Sequence, residues 1–208
     1  QESRLRGEKP AAGGKVAKKE KIMPATVFRI ADRLIHGQVV EAWVPHLKTD
    51  EIVVVSDEIA SDPTRRMIMR FSTPEGVGLK IFGLEEAFKY LNGSASLNNS
   101  FAEPRPFEAP GKSHGAKKDG APAAGNILVL LPGLKEAADM ISRGLKIRSL
   151  NIGGMHYSAG KNFSIGKAIF LSEADRGYLK CISGAGVELE GRGVPTDKPI
   201  DLMEALMQ

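Results

Sequence analysis

"EIVVVSDEIASDPTRRMIMRF" (Glu51–Phe71) sets the frame for the chain. Its start, "EIVVVSD", holds an unbroken apolar run, the pattern of a strand buried on both faces. Asp62-Pro63 then reads as a helix N-cap followed by proline at the first helical position, opening "PTRRMIMRF". A doubly buried strand that feeds a helix is the repeating unit of a parallel sheet.

The unit recurs on both sides. Upstream, "TVFRI" (Thr26–Ile30) reads as a strand and "GQVVEAWVPHL" (Gly37–Leu47) has helical periodicity. Downstream come a strand "GLKIF", a helix "LEEAFKYL", a second buried strand "NILVLL" and a helix "LKEAADMISRG" closed by Gly144. "SLNIGG" is a strand running into a glycine turn, and "KNFSIGKAIFLS" a hairpin turning at Gly166-Lys167. "SEADRGYLKCISG" is a helix from a Ser172 cap to Gly184, "VELEGRGVP" a last strand and "PIDLMEALM" a C-terminal helix. The alternation predicts an α/β domain with a mostly parallel central sheet and helices on both faces. Ligands of such sheets bind at the carboxyl ends of the strands, beside helix N-termini. The turns that fall there are Ala31–Gly37, Glu58–Asp62 and Asn151–His156.

Two stretches lack any hydrophobic period. Residues 1–22 are rich in Gly, Ala and Lys and read as a disordered basic tail. Asn92–Asn126 is rich in Pro, Gly, Ser and Ala and reads as a disordered insert within one domain spanning 23–208. Of the net charge of +4, the tail alone supplies +4, with seven Lys/Arg against three Asp/Glu. The basic character therefore belongs to the tail, and no nucleic-acid surface is expected on the folded part. The single cysteine, Cys181, excludes an internal disulfide, reads as a buried helix position and fits a reducing compartment. No apolar run approaches the roughly 20 residues of a membrane span, and the N-terminus has no apolar signal core. A cytoplasmic protein is expected.

Nucleotide motifs fail on inspection. "GKNFSIGK" spaces its glycines wrongly for a phosphate loop and has Ala168 where Ser or Thr belongs, and no G-x-G-x-x-G follows the first strand. One cysteine and dispersed His36, His46, His114 and His156 supply no zinc spacing, and no serine nucleophile elbow occurs. His46, His114 and His156 read as surface histidines, and Trp43 as packing a helix face.

His36 differs, because it stands where a strand ends and a helix begins, directly before Gly37. A phosphoryl group there would carry roughly two negative charges, and a helix N-terminus favours an anion by about 0.3–1 kcal/mol. Gly37 would let backbone amides approach its oxygens. Arg33 lies in the same turn, Arg29 in the strand before it, and Arg65 at the start of the helix from the neighbouring strand. Guanidinium groups grip phosphate oxygens bidentately. Asp32 is placed to orient the His36 ring by accepting its second N–H. The same residues also read as a capping histidine with arginines paired to surface carboxylates, and on their own they leave both readings open.

"RIADRLIHGQVVEAW" (Arg29–Trp43) resembles the phosphohistidine loop of the IIB subunits of the mannose/fructose/sorbose family of the bacterial phosphotransferase system, which typically read "RIDDRLIHGQV". "IVVVSDEIASDPTRRMIM" and "LNIGGMHYSAGK" carry the resemblance further, over about 25–91 and 126–207. It implies a relay in which a IIA protein phosphorylates His36 and a sugar entering through membrane subunits IIC and IID receives the group. That activity is a protein-Nπ-phosphohistidine–sugar phosphotransferase. Carried over, His36 is the nucleophile, Arg33 and Arg65 are phosphate-binding, and Arg29 is a third basic position. Asn151, Gly153 and Gly154 shape a neighbouring loop, and no cofactor or metal is implied. Ala31 stands in place of the first family aspartate, which leaves an acid role to Asp32 alone. The tail and insert are untypical of the family, and the insert raises an alternative, a regulatory protein whose binding follows phosphorylation without transfer to a sugar. A further alternative is a doubly wound protein that binds a free anionic metabolite at the same pocket. The sequence leaves homo-oligomerisation open.

Overall fold

The runs of Val, Ile and Leu at Ile52–Val55 and Ile127–Leu131 are wholly buried, and their strands lie side by side near the middle of one sheet. The computed structural model describes residues 25–93 and 125–207. The expected tail, nearly all of the expected insert, and His114 lie outside those residues.

The chain runs β1 (Thr26–Ile30), a π-helix (Gln38–Trp43) continued by α1 (Val44–Leu47), then β2 (Thr49–Val55), α2 (Asp57–Ser61), α3 (Pro63–Ser72), β3 (Gly78–Phe82) and α4 (Leu84–Gly93). Beyond the gap follow β4 (Asn126–Leu131), α5 (Leu134–Ser142), β5 (Ser149–Ile152), β6 (Phe163–Ile165) and β7 (Ile169–Leu171). The last elements are α6 (Glu173–Gly184), β8 (Glu188–Gly191), β9 (Ile200–Asp201) and α7 (Leu202–Met207). Seven strands form one sheet in the order β3-β2-β4-β1-β5-β8-β9, parallel throughout except for the β8–β9 pair. The hairpin β6–β7 stands apart, with Gly166 in the left-handed region at its turn (φ 60).

The sheet divides the core into two layers. On one face Phe28, Val53, Val129 and Leu150 pack with residues of α4, α5, α6 and α7. On the other, Val27, Ile52, Val54 and Leu128 pack with Val39, Trp43, Val44 and Ile59. Local signals explain the helix ends. Asp62 Oδ1 accepts from the N–H groups of Thr64 and Arg65, and Ser172 with Asp175 forms a reciprocal capping box on α6. After α5, Gly144 (φ 98) turns the chain so that its N–H reaches Ile141 O and Leu145 N–H reaches Met140 O, a Schellman stop.

Several expectations are corrected. A short helix, α2, occupies the turn read after β2, because Ser56 caps it by accepting from Ile59 N–H. The helix at 84–91 extends to Gly93, and Ile200–Asp201 pairs with β8 before the last helix begins at Leu202. Cys181 is exposed. It lies one position before buried Ile182 on α6, outside the apolar stripe. The strands beside β1 are β4 and β5, so the helix carrying Arg65, which follows β2, opens from a strand one place further away.

Candidate functional site

β1 occupies the centre of the sheet, between β4 and β5, and its carboxyl end runs into the turn that carries His36. Backbone bonds fasten this turn on both sides: Ala31 N–H donates to Leu131 O and Asp32 N–H to Gly154 O, each at 3.0 Å. Leu34 N–H closes the turn onto Ala31 O at 2.8 Å. Leu34 itself is left-handed (φ 53), an uncommon conformation for a residue with a branched side chain, and only 3% exposed. Burial of that side chain holds the strained backbone in place.

The left-handed turn sets Leu34 O 2.9 Å from His36 Nδ1, the position of a donated ring N–H. Its other nitrogen, Nε2, is covered and has no hydrogen-bond partner among the described residues. His36 O accepts from both Val39 and Val40 N–H at 2.9 Å, and the helix leaves the site as a π-turn, with Val44 N–H bonding Val39 O. The helical pattern of the sequence carried no sign of this wider turn; π-turns gather at functional sites. Gly37 is exposed, and a Cβ there would meet nothing within 4 Å, so the space above the helix start is open.

The arginines part company. Arg33 is exposed and makes no hydrogen bond or ion pair among the described residues, leaving its guanidinium available. Arg65 is paired with Glu58 and lies 3.4 Å from Asp62, so any anion must compete with two carboxylates. Arg29 corrects the expectation of a phosphate ligand. It is fully buried, donating through Nη1 to Asn151 Oδ1 and to Arg192 O (2.9 Å), and through Nη2 to Gly193 O (2.8 Å). Its guanidinium lies 4.5 Å from the centre of the Trp43 ring, and Trp43 Nε1–H also donates to Gly193 O (2.9 Å). Burial pulls the Arg29 pKa down to about 10, against the pull of Glu190, so the group stays charged at neutral pH and its bonds are charge-assisted. Arg29 is the post around which β5 and the loop after β8 are fastened.

Asp32 is corrected too. Its carboxylate does not reach the His36 ring but holds His156, accepting from the backbone N–H at 2.7 Å and from ring Nδ1 at 2.8 Å. Lys161 Nζ donates to His156 O at 2.8 Å. His156 is thus a fastened residue of the site's rim, and half-buried His46, edge-on to Trp43 at 6.1 Å, is likewise not a free surface histidine. The two glycines of "NIGG" have separate spatial reasons. A Cβ on Gly153 would overlap the Arg29 guanidinium, and one on Gly154 would stand 3.0 Å from His156 Cε1. Arg192 and Gly193 had no signal in the sequence, because each contributes through a backbone carbonyl that any residue can supply; Lys161 closes "LNIGGMHYSAGK", but nothing local marked its reach to His156 O. Among the described residues no group of His, Cys, Asp or Glu is arranged to hold a metal ion, and no helix is long and apolar enough to cross a membrane.

The family model described as "PTS system sorbose subfamily IIB component" matches residues 25–99 and 114–208. The mannose-specific EIIAB component of Escherichia coli K12 is 29% identical over 178 residues, 86% of this chain. The chain spans about half, 47%, of that relative's length. The sorbose-specific EIIB component of Lacticaseibacillus casei is 28% identical over 87% of this chain and 94% of its own. The fructose-specific EIIB component of Bacillus subtilis is 26% identical over 89% and 97%. Among solved structures, the IIBSor domain of the sorbose permease from Klebsiella pneumoniae superposes with a TM-score of 0.69 at 25% identity, covering 89% of this chain and 97% of that one. By sequence and by fold, the chain belongs to the sorbose subfamily of phosphotransferase-system IIB components.

Proposed function

We propose that the chain is a phosphoryl carrier for sugar uptake, accepting the group on His36 from a IIA protein and delivering it to a sugar presented by IIC and IID membrane subunits. The observation that carries this reading is the His36 turn itself. A histidine stands at the carboxyl end of the central strand, braced by the carbonyl of a left-handed residue, with Arg33, unpaired among the described residues, in the same turn. Family membership supports the phosphotransferase class and favours work on the cytoplasmic side. Relatives named for mannose, sorbose, fructose and N-acetylgalactosamine recur at closely similar identity, which favours a hexose or N-acetylhexosamine acceptor.

In the resting turn one ring nitrogen is engaged with Leu34 O and the other is covered, so the ring must swing outward when the donor docks. A ring-nitrogen lone pair then attacks phosphorus in line, and the N–P bond forms as the donor's N–P bond breaks. The ring proton remains on the other nitrogen. Arg33 and the helix start at Gly37 balance the charge on the transferring oxygens, which is most of what phosphoryl transfer asks of a protein. In the second step the sugar hydroxyl attacks the phosphohistidine and gives up its proton as the N–P bond breaks, dividing one transfer into two.

The test is incubation with phosphoenolpyruvate, the general phosphotransferase proteins and a IIA protein. Acid-labile label on the wild type and none on a folded His36→Ala variant is the expected result. An unlabelled, folded wild type rejects the carrier. Label that no sugar discharges in membranes holding IIC and IID would favour a regulatory role instead.

A further inference from the structure

The strand at the far end of the sheet, β3, pairs with β2 alone, so its outer row of backbone N–H and C=O groups meets no other strand among the described residues. A cleft of about 330 Å³ runs along it. Four consecutive residues, Leu79, Lys80, Ile81 and Phe82, line this cleft. Successive side chains of a strand point to opposite faces, so a cavity that all four line must straddle the strand's edge. Arg66 and Arg70 of α3 close it on one side and Tyr90 of α4 on the other.

The walls have a definite character. The lining carries three cations and no carboxylate. Arg70 is exposed and makes no hydrogen bond or ion pair among the described residues, and Arg66 makes one bond, to Ala60 O at 3.2 Å. Four residues apart, they share one face of α3. A lysine on an edge strand ordinarily discourages pairing by standing out over the edge. Lys80 does not stand out. Its ammonium lies 4.2 Å from the centre of the Tyr90 ring and 3.8 Å from Glu51 Oε2, folded back over α4's side. α3 buries none of its residues, and beside the arginine stripe it exposes Met67 (57%), Ile68 (52%) and Phe71 (84%). An amphipathic helix that buries no side chain, next to an unpaired strand, is surface of the kind partners cover.

We infer that the β3 edge is a docking groove for an extended acidic segment of a partner protein, which adds a strand to the sheet. Main-chain bonds to β3 supply affinity, and alternate side chains supply selectivity. Carboxylates on the α3 side meet Arg66 and Arg70, and apolar side chains on the other meet Phe82 and Tyr90. A second copy of the chain fits poorly, because edge-to-edge pairing would bring the same cations together. The groove is separate from the His36 turn, with β2 and β4 between β3 and β1.

The test uses the full chain and a fluorescein-labelled peptide of about ten residues alternating glutamate with valine, with a lysine-for-glutamate version as control. Saturable anisotropy with the glutamate peptide, at least tenfold weaker binding to Arg70→Glu, and slowed amide exchange at Gly78–Phe82 are expected. Arg70→Glu leaves His36 labelling unchanged, which separates this groove from the carrier function. No binding, equal binding of the lysine peptide, or protection elsewhere overturns the proposal. So does self-association that Arg70→Glu abolishes, which assigns the edge to a second copy. Amides of β3 already protected in the free chain would assign it to residues 94–124 and overturn the proposal as well.

Discussion

Asp32 grips His156 twice, through the backbone N–H at 2.7 Å and through ring Nδ1 at 2.8 Å, and so locks the turn after β1 to the loop after β5. The relationship joins segments 124 residues apart, and the turn it steadies is the one that holds His36. Asp32→Asn keeps the shape but weakens both bonds. With the two side chains 28% and 44% exposed, the loss in urea unfolding is expected to be about 1 kcal/mol. Phosphorylation of His36 should slow by more than that stability loss explains. A labelling rate equal to wild type would show that the clasp does not serve the site.

Arg29 and Gly153 form a second coupled pair. Arg29→Met leaves Arg192 O and Asn151 Oδ1 without this donor and Gly193 O with Trp43 alone, an expected loss of about 2–4 kcal/mol. Gly153→Ala drives a methyl into the guanidinium and should cost about 1–3 kcal/mol. Since methionine can bend away, the double variant should be more stable than the sum of the single losses predicts by about 1 kcal/mol or more. Strict additivity in denaturant melts would refute the packing relationship.

Arg33 should behave in the opposite way. Exposed and unpaired among the described residues, it contributes little to the fold, and Arg33→Gln is expected to shift stability by no more than about 0.5 kcal/mol. The rate of His36 labelling should fall by about tenfold or more, as expected when a charged donor to a transferring phosphoryl group is removed. Quench-flow labelling beside a thermal melt separates the two effects; an unchanged rate would remove Arg33 from the site.

His46 carries a pH signature. Burial first, and then the charge of Arg192, hold its pKa below the ordinary 6.5. As pH falls through 6.5 the unfolded chain takes up this proton more readily than the folded one. The His46 contribution is therefore complete above about pH 6.5 and declines below it, until the folded ring also protonates. Urea midpoints measured from about pH 7.5 to about pH 5 should fall less steeply for His46→Gln. Parallel profiles for the two proteins would contradict the burial argument.

The fold was largely legible because its signals are local. Buried strands announce themselves as runs such as Ile127–Leu131, and caps at Asp62 and Ser172 act within three residues of themselves. The edge strand Ile200–Asp201 was not legible, since two residues bear no period and only the neighbouring β8 gives them a strand to pair with. The candidate site was legible in its centre, where "DRLIHGQ" points to the proposed nucleophile, but not in its supports. Arg29 resembled a ligand because an arginine near a strand end can face either a cleft or a core, and the pattern does not say which.

On its own, the sequence determined the order of the main strands and helices, the turn that carries His36, and the family to which the chain belongs. Each depends on residues near one another along the chain. Tertiary structure decided which partner each polar group took. Arg29 meets Asn151 and Gly193 across 122 and 164 residues, and Asp32 meets His156 rather than the histidine four places away. A buried charge must find its bonds wherever folding brings donors and acceptors together, and strand register, not the local pattern, sets those distances.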